Sequence, residues 1–238
     1  MLLVLAVRVV ARNGAERCEL AGDPMSTFTD ALVAAARTEW ERFERGKKTE
    51  TADPQYLYVG EYWTGIKKSL TGRTTFKRSD GTEQRPAWSA AFVSFCVRKA
   101  GAGEGFKYAE AHSHYVEDAI RAREFGLLSA AYYAFQPDEY IVSVGDILVA
   151  GREYAINYDY HEARATYEAD SFYPSHGDIV VAVDKTKKAL TVIGGNLGNS
   201  VKEKTVAIDA NGLLEPRKEK AGSATVTRPW IAVLGCRV

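Results

Sequence analysis

Ser89, His176 and Asn196 are a hydroxyl, an imidazole and an amide, the groups from which a nucleophile, its base and the orienter of that base are built. Ser89 begins an apolar stripe that continues at helical spacing through Phe92, Val93, Cys96, Val97 and Ala100. Pro86 just ahead and Gly101 just beyond are the start and stop signals of a helix. A side chain in the first turn of that helix sits at the positive end of the macrodipole, where a developing anion is favoured. Downstream, two β-rich runs flank the polar turn Lys185-Thr186-Lys187-Lys188, which reads as an antiparallel hairpin. His176 and Asn196 are equally distant from Thr186, so a hairpin turning there sets them opposite each other, with Cβ atoms about 4.5–5.5 Å apart.

The elements that must position these groups follow from periodicity. A helix over 30–44 carries Leu32, Ala36, Trp40 and Phe43 on one stripe, with Ser26, Thr27 or Thr29 available to cap it. Further helices are predicted near 56–69, 87–100 and 110–125, and strands near 145–150, 178–184, 189–194, 202–208 and 230–236. Helices first and antiparallel strands after argue an α+β fold. Residues 152–174, rich in Tyr and charge, lie between two predicted strands as an insertion of the kind that shapes a cleft. Residues 1–24 read as an N-terminal extension of little functional weight, and 25–238 as a single domain. The apolar start has Arg8 within it, no basic leader and no clear cleavage site, and it is too short to span a bilayer.

With these motifs in hand the chain resembles the CHAP and NlpC-like cysteine peptidases and amidases. Trp88-Ser89-Ala90-Ala91-Phe92-Val93, Val144-Gly145-Asp146-Ile147-Leu148-Val149, the His176 strand, and Gly194-Gly195-Asn196 followed by Ser200-Val201 occur in that superfamily's order. Glu61-Tyr62-Trp63 and His112-Ser113-His114-Tyr115 are similar to a less characterised bacterial branch. The resemblance covers residues 26–238. It implies a papain-like fold, with an N-terminal helical part packed on an antiparallel sheet. It also implies a peptidoglycan-directed amidase or endopeptidase with Ser89, His176 and Asn196 catalytic and with Trp88, His112 and Tyr62 in contact with substrate. Peptidoglycan or its peptide fragments are then the partner, together with an immunity or secretion protein if the chain is a secreted effector or lysin acting in the periplasm or on a target cell wall. A catalytically inactive binding module of the same fold is the alternative. One departure is chemical: the superfamily's cysteine is Ser89 here, and a serine hydroxyl, unlike a thiol, must be deprotonated by its base during attack. A working serine enzyme, a degenerate one and a laboratory replacement of cysteine all stay open at this point.

Bulk composition removes other classes. The 238 residues are 46% hydrophobic, enough for one sizeable core. Lys plus Arg and Asp plus Glu are 31 each, so no global field gathers nucleic acid or an anionic membrane. Cys18, Cys96 and Cys236 form neither a disulfide framework nor a zinc pattern, and Cys96 falls in the buried stripe. His112 and His114, two apart on a helix, diverge too far to bind a metal as a pair. No metal and no cofactor are expected, and His161 carries no signal.

Overall fold

The computed structural model describes residues 25–168 and 172–238; the expected extension over 1–24 lies outside the described residues. Helices come first: α1 (Met25–Arg42), α2 (Gln55–Gly65), α3 (Ser89–Ala100) and α4 (His112–Glu124). A small hairpin of β1 (Phe76–Lys77) and β2 (Glu83–Gln84) interrupts them. Then follow β3 (Tyr132–Phe135), β4 (Ile147–Gly151), α5 (Tyr160–Glu168), β5 (Ser175–Asp184), β6 (Ala189–Gly194), β7 (Lys202–Ala207), β8 (Arg217–Ala221), β9 (Ala224–Arg228) and β10 (Ala232–Cys236). Six strands make one antiparallel sheet in the order β3-β10-β4-β5-β6-β7, while β8 and β9 form a separate hairpin. The fold is therefore α+β, with five helices among the described residues.

Alternation along β5 assigns the two faces of the sheet. Ile179 and Val181 join the main core with Ile147, Val149 and Ile193, beneath the helices. Val180 joins the smaller core on the far face, with Leu148, Val192, Val206 and Trp230. On the helical side α3 is buried from Ser89 to Val97, and Gly101 ends it in the left-handed conformation at φ 96°, as the sequence reading expects. Cys96 lies wholly within that core. The β5–β6 hairpin pairs Ile179 with Ile193 and Val180 with Val192, the register that a turn centred on Thr186 implies. A bulge between Val180 and Ala182 shifts the pairing by one residue toward the turn. The insertion folds into a short turn at Glu153–Ala155 and into α5, neither of which periodicity marks.

Candidate functional site

Ser89 is the first residue of α3, after Trp88 in the cap position. The first helical bond runs from Phe92 N to Trp88 O at 2.9 Å, so the N–H groups of Ser89, Ala90 and Ala91 have no acceptor within the helix. Trp88 makes no capping bond; it anchors the turn by packing. Its ring stacks on Phe43 with centroids 5.8 Å apart, lies 5.7 Å from Tyr62, and donates its indole N–H to the buried Glu50. Tyr62 is held from behind by donating to Glu39 at 2.6 Å. The start of α3 is thus fixed by a wall of aromatic rings, and the Ser89 hydroxyl has little freedom to wander.

That hydroxyl meets His112, the first residue of α4, with Oγ 2.6 Å from Nε2. One helical turn further on, the Tyr115 hydroxyl contacts His112 Nδ1, as the three-residue spacing requires. Burial pushes the proton affinity of His112 well below the usual imidazole value, and the neighbouring His176 adds to the effect. A neutral imidazole has one donor and one acceptor nitrogen. When Nε2 accepts from Ser89, Nδ1 carries the proton and donates to the Tyr115 oxygen, giving a hydroxyl, its base and an orienter in line.

A second cluster lies across the sheet. The pleat directs His176 and Asp178 to the far face, along with Val180, while Gly177 between them faces His112. His176 Nε2 donates to Asp178 Oδ1 at 3.0 Å, and Lys204 Nζ pairs with Asp178 Oδ2 at 2.7 Å. Burial would raise the Asp178 pKa, but the adjacent His176 and Lys204 reverse it and hold the carboxyl well below its ordinary range. Burial lowers His176 below the usual imidazole value, against the pull of Asp178. The two imidazole rings are only 5.6 Å apart between centroids.

Three glycines allow this closeness. A Cβ on Gly177 would lie 2.8 Å from both His112 Nδ1 and the Tyr115 hydroxyl. One on Gly194 would lie 2.0 Å from Asp178 Oδ1, and one on Gly195 2.6 Å from Phe92. The Gly194-Gly195 pair is therefore pressed between Asp178 on one face and α3 on the other. A cavity of about 620 Å³ opens on the far face, with His176, Lys204, Arg152, Arg217 and Trp230 in its lining.

The structure redistributes the roles expected from sequence. Ser89 stands where the helix argument puts it, but its hydrogen-bond partner is His112, expected to touch substrate, because the pleat turns His176 away from α3. Asn196 lies beyond the end of β6 in a left-handed turn at φ 57°, a conformation asparagine tolerates. Asp178, two residues along the same strand face, occupies the orienting position beside His176. Trp88 and Tyr62, at 1% and 0% exposure, belong to the core and present no surface to a substrate. Sequence reasoning passed over Asp178 and Tyr115, although the i,i+2 and i,i+3 spacings from their histidines carry the signal. Among the described residues no group of three or more His, Cys, Asp or Glu could hold a metal ion.

No curated protein and no solved structure matches the chain. Residues 52–236 match DUF2272, a family described as an uncharacterized protein conserved in bacteria, and the match takes in Ser89, His112, Tyr115, His176, Asp178 and Asn196.

Proposed function

Since the chain belongs to DUF2272, a bacterial family whose description names no reaction, its activity has to be read from the site, and we propose that it is a serine-dependent hydrolase of amide bonds. The observation that carries this reading is the 2.6 Å contact between Ser89 Oγ and His112 Nε2 at the first turn of α3. His112, kept neutral by its burial, takes the hydroxyl proton as Ser89 attacks the carbonyl carbon. The N–H groups at the start of α3 meet the oxyanion, and His112 returns the proton to the leaving amine. Water then cleaves the acyl-serine by the same proton path in reverse. A nucleophile at a helix N-terminus packed on an antiparallel sheet is the papain-like arrangement, and the sequence resemblance supplies the substrate: the stem peptide of peptidoglycan, met in the periplasm or on a target wall.

Purified peptidoglycan is incubated with the protein and the released fragments are read by mass spectrometry, alongside labelling with a fluorophosphonate, which reacts with activated serines. Fragment release and labelling, both lost in Ser89→Ala, are the expected result; turnover that survives Ser89→Ala refutes the assignment. Two observations favour a second reading, a wall-binding module without turnover: Ser89 is only 7% exposed, and the cavity borders His176 instead of the hydroxyl. Co-sedimentation with sacculi and no released fragment is its signature.

A further inference from the structure

We propose that the cavity on the far face of the sheet is a subsite for a single carboxylate and that Arg152 receives it. The proposal takes its ligand class, a short acidic peptide, from the hydrolase reading, but the binding itself does not depend on turnover. At about 620 Å³ the cavity is in the range of sites that enclose small ligands, and Ile156 and Trp230 give it apolar wall.

Four cations stand in its lining; Lys218 carries a point-charge ammonium without a guanidinium's planar fork, and two of the other three are already committed. Lys204 is paired with Asp178 at 2.7 Å. Arg217 pairs with Glu219 at 2.7 Å and donates to the carbonyls of Pro229 and Ile156 at 3.0 and 3.2 Å. Arg152 differs: it is exposed, and among the described residues its guanidinium makes no hydrogen bond or ion pair. Its positive charge nevertheless disfavours protonation of His176 and Arg217 in the lining, and of His112 on the other side of the sheet. A free guanidinium is a planar fork matched to a carboxylate.

The lining also limits how much negative charge can enter. Glu153 and Glu215 are also in the lining and repel a phosphate dianion more strongly than a monoanion. A carboxylate seated on Arg152 would place the rest of a peptide along Ile156 and Trp230, toward His176.

The test uses the Ser89→Ala protein, so that no probe is consumed, and calorimetric titration with acetyl-Ala-Glu-amide, acetyl-Ala-Gln-amide and inorganic phosphate. The two peptides differ by one charge at nearly constant shape. The acidic peptide should bind more tightly by about tenfold to a hundredfold, the worth of a charge-assisted hydrogen bond, and Arg152→Gln should erase the difference. Because Arg152 is exposed and unbonded, that variant should keep its thermal midpoint. Equal binding of the two peptides, an advantage that survives Arg152→Gln, or phosphate binding more tightly than the acidic peptide each overturns the proposal. Failure of the hydrolase reading appears separately, as absence of turnover by the unsubstituted chain, and leaves carboxylate binding intact.

Discussion

Protonating the two buried histidines should unfold the protein as the pH falls through mild acid. His112 and His176 are both held below the ordinary imidazole value of 6.5, in each case chiefly by burial. The folded state therefore resists protons that the unfolded chain accepts, and the stability present above pH 6.5 declines as pH drops toward the folded pKa values. Each such group costs about 1.4 kcal/mol per pH unit once the unfolded form is fully protonated, so the pair sets a limiting slope of about 2.7 kcal/mol per unit. That is a large fraction of the 5–15 kcal/mol typical of a domain, roughly speaking. Glu39 and Asp118 have raised pKa values, chiefly through burial, and act in the opposite sense. Urea unfolding at half-unit steps from pH 8 to pH 5 measures the slope. His112→Gln, which cannot take up the proton, should reduce it by about 1.4 kcal/mol per pH unit, whatever it does to the absolute stability. A stability that is flat between pH 7 and 5, or a slope unchanged in His112→Gln, refutes the reasoning.

Other substitutions probe the packing around the site. Gly194→Ala drives a methyl toward Asp178 Oδ1, 2.0 Å away, and should cost about 1–3 kcal/mol or more in urea unfolding. Gly65→Ala, at the end of α2 with nothing within 4 Å of the new methyl, should instead stabilise by about 0.4–1 kcal/mol. Asp178→Asn removes the charge that opposes burial at His176, so the His176 pKa, followed by NMR, should fall further; an upward shift contradicts the placement. Ser89→Cys puts a thiol against His112, and faster wall hydrolysis than with serine would mark a silenced cysteine enzyme, whereas loss of activity would mark a site adapted to serine.

What could be read from the chain depended on the range of the interactions involved. The α3 stripe and its Gly101 stop are local, and they stand where periodicity puts them. The hairpin register near the site follows from its turn, because the bulge restores at Val180 the pairing that a midpoint at Thr186 implies. Asn196 failed as a partner for His176 because β6 ends two residues earlier, where Gly195 passes under Phe92 and the chain turns. Twenty-three residues separate Ser89 from His112, and nothing local announces that the first turns of α3 and α4 converge; that contact is made by helix packing. Short β3 is four apolar residues in a row and β8 is charged along most of its length, so the sequence of neither shows the apolar–polar alternation that marks a half-buried strand.

At Gly177 the barrier between the two histidines is a single bare backbone. Such a partition blocks atoms and passes an electric field. The charge of Arg152, on the cavity side, already weakens the proton affinity of His112 on the helical side. An anion that neutralised Arg152 would remove that contribution and shift His112 toward a stronger base, with no strand displaced and no lid closed. Occupancy on one side of the sheet would then be registered as basicity on the other, across the thinness that three glycines secure.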